Sequence, residues 1–435
     1  MPLIVSREDS GFEDRFSALL SAGGDAASAV EATVGGIVAD VRARGDRAVI
    51  DWTARLDRLT LVPGGFAIAP DEIDAACAAV APEDRRALGV AAERIRDYHA
   101  RQRPEDARWT DGAGAELGWR WTAVGAAGLY VPGGTASYPS SVLMNAIPAQ
   151  VAGVERLVIA CPTPGGAVNP LVLLAARLAG VETIYRIGGA QAIAALAYGT
   201  ETIAPVDKIT GPGNAYVAAA KRLVHGKVGI DSIAGPSEIL VIADGGANPA
   251  WVALDLLAQA EHDAVARAIL VTDSPGLARA VAAEVEAALA GLARREIAGA
   301  SWRDHGAIIL VRDMAEAAAI AERFAPEHLH IQTADPEAVA ARIRHAGAIF
   351  LGAWTPEAMG DYVAGPNHVL PTARTARFSS GLSVLDFMKR TTITRLGPEA
   401  MRAIGPAAAR LADSEGLGAH AASVRARLAA LNGEG

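Results

Sequence analysis

The sequence predicts an α/β fold in which two parallel-sheet units lie between a mainly helical N-terminal region and a helical tail. Three observations carry this. Short runs of apolar, β-forming residues alternate with longer segments whose apolar residues recur every three or four positions. The alternation comes in two series, divided near Ala234-Gly235-Pro236-Ser237. The chain has 435 residues, 51% hydrophobic and 20% charged, with 45 glycines, which is enough for two or three large cores and too apolar for disorder.

Taken in order, residues 27–44 and 82–102 carry the three- and four-residue spacing of helices, rich in alanine and arginine. The first series sets strands at 157–160 and 183–187 against helices at 170–178 and 190–197. After the glycine- and proline-rich stretch 210–214 and a basic helix, the second series begins. It has strands at 238–242, 268–271 and 307–311, with helices at 250–262 and 276–292 between them. Short apolar strands alternating with helices imply sheets covered on both faces. Residues 399–412 and 417–430 read as closing amphipathic helices. The expected domains are a mainly helical region at 1–120, which packs on either α/β unit, a first α/β domain at 121–236, a second at 237–381, and a tail at 382–435.

Composition excludes several classes. A formal net charge of −9 argues against nucleic-acid binding, which needs a basic face. No run approaches the roughly eighteen apolar residues of a membrane span. The start, Met1 to Asp9, lacks the basic and apolar regions of a secretory signal, so the expected location is the cytoplasm. Cys77 and Cys161 stand far apart in apolar surroundings and read as small buried hydrophobes.

The usual nucleotide signatures are missing. The nearest approach to Gly-x-Gly-x-x-Gly, Gly211-Pro212-Gly213-Asn214-Ala215-Tyr216, ends in tyrosine, and Gly226-Lys227 is followed by Val228 rather than Ser or Thr. Two glycine loops remain, Tyr130-Val131-Pro132-Gly133-Gly134-Thr135 and Thr210-Gly211-Pro212-Gly213-Asn214. Each suits close approach to phosphate or sugar, the second by leading into a helix N-terminus, and each equally suits an ordinary turn.

The acid–base residues are more informative. In Phe324-Ala325-Pro326-Glu327-His328-Leu329 the proline ends a helix, so Glu327 and His328 start a new element. Neighbours on a regular strand face opposite ways, and the two share a site only where the strand begins. Such a corner fits a metal site, a proton-transfer pair or a structural bend. Gln259 and His262 share a helix face, and Asp361 precedes the loop Ala364-Gly365-Pro366-Asn367-His368. Glu415 and His420 lie near the end. Together these supply nitrogen and oxygen ligands without thiolate, as zinc or a similar divalent ion prefers.

Tyr130 to Gly134, Tyr138 to Asn145, Ile209 to Asn214, Ala234 to Glu238, Gln259 to Asp263, Ala325 to Leu329, Ser379 to Ser383 and Glu415 to Arg425 resemble, in order, the motifs of histidinol dehydrogenases. The resemblance implies two incomplete Rossmann-like units and a cytoplasmic homodimer whose C-terminal segment completes the partner's site. It implies oxidation of L-histidinol through L-histidinal to L-histidine with two NAD+ and one zinc ion per subunit. Gln259, His262, Asp361 and His420 would bind zinc, and these four together with Ser237, His328, His368 and Glu415 would hold substrate. Tyr130, Gln191 and Asn214 would contact NAD+, His328 would act as general base, and Glu327 would activate water. A relative oxidising another polar alcohol, such as a sulfonated diol, is the nearest alternative, and a non-catalytic metal-binding scaffold the next. His330 is expected to be structural.

Overall fold

A computed structural model describes residues 2–21, 27–133, 138–233 and 235–433. Gly134 and Thr135 of the first glycine loop, and Ala234 at the expected division, lie outside the described residues. The strands are β1 (Leu3–Ser6), β2 (Ala107–Thr110), β3 (Glu116–Ala123), β4 (Ala126–Tyr130), β5 (Arg156–Ala160), β6 (Thr183–Tyr185) and β7 (Lys208–Thr210). They continue as β8 (Gly229–Ile230), β9 (Glu238–Ala243), β10 (Arg267–Thr272), β11 (Ala307–Leu310), β12 (His328–Gln332), β13 (Ala348–Leu351) and β14 (Met388–Arg395). The chain divides into two compact units, residues 1–102 with 124–387 and residues 103–123 with 388–435.

The first unit holds both parallel sheets, ordered β6-β5-β4-β7-β8 and β1-β11-β10-β9-β12-β13. In each, the first strand of its series lies inside the sheet and later strands leave on both sides. That creates a switch point, between β4 and β7 in one sheet and between β9 and β12 in the other, where such sheets offer a crevice. β9 and β10 are buried at every residue, which their unbroken apolar runs require of central parallel strands. Asn248 and Ser274 cap the helices that follow them through their side chains, so each strand-to-helix turn satisfies its own exposed donors.

The N-terminal region is not all helical. β1 adds to the edge of the second sheet, parallel to β11, and buries Val5 beside Ile309. Val34, Ile37, Val38 and Val41 pack instead into the core under the first sheet. The second unit carries an antiparallel sheet, β14-β3-β2, so the tail expected as helix begins with a strand. β14 reads Met-Lys-Arg-Thr-Thr-Ile-Thr-Arg and is mostly exposed; pairing with β3, not burial, makes it a strand. Helices Pro398–Ser414 and Gly418–Asn432 follow in the expected places.

Candidate active site

The helix Met314–Phe324 closes on Ala325, whose left-handed φ of 50° turns the chain toward Pro326, and β12 then begins at His328. Glu327 therefore sits just before the regular pleat, and both side chains reach the first residue of β9. The Glu238 N–H donates to Glu327 Oε2 at 2.9 Å, and His328 Nδ1–H donates to the Glu238 carbonyl at 3.0 Å. That bond selects the tautomer: Nε2 keeps its lone pair, and it is buried with no hydrogen-bond partner among the described residues. This corner lies at the amino ends of β9 and β12, the edge opposite the usual one for a doubly wound sheet.

Two helices close around the corner. Pro249–Ala260 brings Gln259, fully buried, against His328. With its amide nitrogen turned inward, Gln259 lies 3.0 Å from His328 Nδ1, 3.1 Å from Glu357 Oε1 and 3.2 Å from the Glu238 carbonyl. Because Nδ1 carries its own hydrogen, the two amide N–H groups donate to the two oxygens, and the Gln259 oxygen points the other way. The short helix Glu357–Tyr362 contributes Glu357 and Asp361, four apart and so on one face. Asp361 thus stands near the end of a helix, just before the loop 364–368. Glu357 Oε1 lies 3.3 Å from His328 Nδ1, and Asp361 Oδ1 lies 3.9 Å from Nε2. Burial pulls the His328 ring down to about 3 and lifts Asp361 to about 6, while Glu327 and Glu357 are pushed well above the ordinary carboxyl range.

His368 Nδ1–H donates to the Asp361 carbonyl at 3.1 Å, and its Nε2 faces the Ser141 hydroxyl at 3.4 Å. His262 follows the end of its helix, exposed in the single chain yet close enough to His328 and His368 to act on both electrostatically. Ser237 precedes β9 directly. The structure thus brings Gln259, His262, Glu327, His328, Asp361 and His368 together. Glu415 and His420 belong to the second unit, exposed around the start of the helix Gly418–Asn432.

The other three expected residues surround the switch point of the first sheet. Tyr130 ends β4, and its hydroxyl accepts the Gly189 N–H at 3.1 Å at the head of the helix Gly189–Tyr198. On that helix Gln191 is fully buried, and neither amide atom has a partner among the described residues. Asn214, after β7, caps the helix Ala215–Val224 by accepting from Tyr216 and Val217 N–H.

Comparison with known proteins adds a family model, described as histidinol dehydrogenase, that matches residues 21–428. The chain belongs to the histidinol dehydrogenase family. It is 70% identical over 432 residues to histidinol dehydrogenase of Cereibacter sphaeroides, covering 99% of this chain and 100% of that one. The figure for the Ruegeria pomeroyi family member is 66% over 433 residues, covering 100% of both chains. A crystal structure of histidinol dehydrogenase from Elizabethkingia anophelis superposes with a TM-score of 0.94 at 36% identity, covering 99% of each chain. Family membership makes the chain an oxidoreductase.

Within this family site, sequence reading missed Glu357. It is 2% exposed and joins His328 and Asp361 in a group whose ligand atoms lie within 4.8 Å of one another. The signal was present as Glu-x-x-x-Asp at helical spacing, but a six-residue helix containing Met-Gly does not show as a periodic segment. The donor set is nitrogen and oxygen only, with Glu357 Oε2 and His328 Nε2 buried and unpartnered among the described residues, so a divalent cation fits here. No helix among the described residues is long and apolar enough to cross a membrane, and Cys77 and Cys161 are free and buried.

Proposed function

We propose that the chain oxidises L-histidinol through L-histidinal to L-histidine with two NAD+ in turn, as a cytoplasmic homodimer. The observation that carries this reading is His328, whose Nδ1–H is fixed on the Glu238 carbonyl while its buried Nε2 has no partner among the described residues. Nε2 takes the alcohol proton in the first oxidation and manages the hydrate proton in the second. Glu327, held by the Glu238 N–H beside the same ring, takes the proton of the water that adds to the aldehyde. Its burial raises its proton affinity, and so its strength as a base once ionised.

Zinc, when bound, supplies a positive charge that fixes the amine and imidazole of the substrate. Gln259, through its outward oxygen, His262 and Asp361 would hold it with His420. Glu415 and His420, exposed on their own chain, fit a segment that completes the site of a partner subunit. Ser237, His368 and Glu415 would line the substrate. NAD+, when bound, supplies the hydride acceptor. Tyr130, Asn214 and the unpartnered amide of Gln191 surround the switch-point crevice where it would lie.

One observation favours a second ligand set: His328, Glu357 and Asp361 are the residues whose ligand atoms already converge. That set would engage His328 with the ion and leave the alcohol step without its proposed base. The proposed function itself is tested by NADH formed per histidinol consumed. Two is expected; one would make the chain an alcohol dehydrogenase only, and none, with a sulfonated diol accepted instead, would favour the alternative substrate.

A further inference from the structure

Lys221 and Asp231 form an ion pair whose side chains are 3% and 4% exposed. Burying two charges costs about as much as their attraction returns, so such a pair is a poor source of stability. Its hydrogen bonds point to another use. Asp231 Oδ2 accepts the Gly211 N–H at 2.7 Å, and Lys221 Nζ donates to the Gly211 carbonyl at 3.1 Å. Both backbone polar groups of one glycine are therefore held by the two halves of one buried pair.

Gly211 is itself exceptional. Its φ is +118°, and a Cβ there would collide with the Tyr130 carbonyl oxygen. The end of β7 is thus pressed against the end of β4, across the switch point of the first sheet. Lys221 comes from the helix that Asn214 caps, and Asp231 follows β8, its N–H donating to the Ile209 carbonyl at 3.3 Å. Three segments meet at one peptide, between Tyr130 on one side and Asn214 on the other. The charges neutralise each other, so the pair does not itself attract phosphate.

We infer that Lys221 and Asp231 are positioning residues for the dinucleotide: by clamping Gly211 they set the spacing of Tyr130 and Asn214 across the cofactor crevice. The inference rests on the proposed NAD+ reading. Its test is the double variant Lys221→Met, Asp231→Leu, which removes both charges at similar volume, assayed as the full-length, zinc-loaded enzyme. The KM for NAD+ should rise about tenfold or more, because a misplaced loop loses binding geometry, while the KM for histidinol and kcat at saturating NAD+ stay within about twofold. A folded double variant with unchanged KM for NAD+ overturns the inference.

If the double variant fails to fold, Asp231→Asn decides, since it keeps an acceptor for Gly211 but not the charge. NAD+ titration should show binding weakened about threefold or more, and an unchanged Kd overturns the inference. Gln191→Ala and Asn214→Ala separate the two readings. If both leave the KM for NAD+ untouched, the crevice is not the cofactor site and the inference falls with it. If they raise it while the Lys221–Asp231 variants do not, only the positioning role fails.

Discussion

His328 Nδ1–H is engaged by the Glu238 carbonyl, which leaves Nε2 as the ring nitrogen open to the proposed proton transfer. With its pKa held near 3 by burial, the ring is neutral throughout the physiological range, so Nε2 keeps the lone pair that the proposed proton transfer needs. Glu327 shares the Glu238 backbone with it, one residue serving both partners through its carbonyl and its N–H. The proposed mechanism nevertheless gives the two side chains different work. Glu327→Gln keeps the volume and loses the base, so oxidation of the aldehyde should slow by about a hundredfold or more, a typical loss for general-base catalysis. Oxidation of the alcohol should change by less than about tenfold. Rapid-mixing assays started separately from histidinol and histidinal measure both, and equal losses would contradict the division of labour.

The element that aligns this chemistry is a pairing of one helix with one strand. Asp255 and Gln259 are four apart on the helix Pro249–Ala260, a rise of about 6 Å. His328, His330 and Gln332 alternate along one face of β12, with about 6.6 Å between successive members. The spacings match closely enough to make two rungs. Gln259 meets His328, while Asp255 Oδ2 meets His330 Nδ1 at 3.2 Å and accepts from Gln332 Nε2 at 2.7 Å. His330 Nε2–H donates to the Gly352 carbonyl at 3.0 Å, and the Phe350 ring neighbours both histidines, with centroids 6.1 Å from His328 and 6.5 Å from His330. His330, buried completely, thus holds the register on which Gln259 depends. His330→Leu removes the ring's contacts to Asp255 and Gly352 and leaves the Gly352 carbonyl without that donor, so it should lower stability by about 1–3 kcal/mol, the cost of an unmade buried hydrogen bond. Denaturant unfolding measures this; a loss below about 0.5 kcal/mol would contradict it.

Across the whole molecule, the alternating series was legible because unbroken apolar runs such as Ile-Leu-Val-Ile-Ala, flanked by helices, read as central parallel strands. β1 was not, since four residues carry no periodicity and its partner β11 lies some three hundred residues away. β14 escaped for a different reason. Its lysine and arginines mask a threonine-rich strand whose partner, β3, is distant in sequence. The Glu327-His328 corner was visible through Pro326, but the left-handed turn at Ala325 that aims it was not, because alanine gives no sign of positive φ. Asn214, singled out from the sequence for a cofactor, caps a helix in the structure.

The central claim is that Glu327 and His328 handle protons while the metal rests on other residues. Elemental analysis of purified, dialysed His328→Asn tests it most directly. Parent and variant alike should carry one zinc per subunit, with turnover of the variant lowered by about a hundredfold or more in both oxidations. Loss of zinc from a folded His328→Asn protein would contradict it, and would make His328, Glu357 and Asp361 the metal site instead.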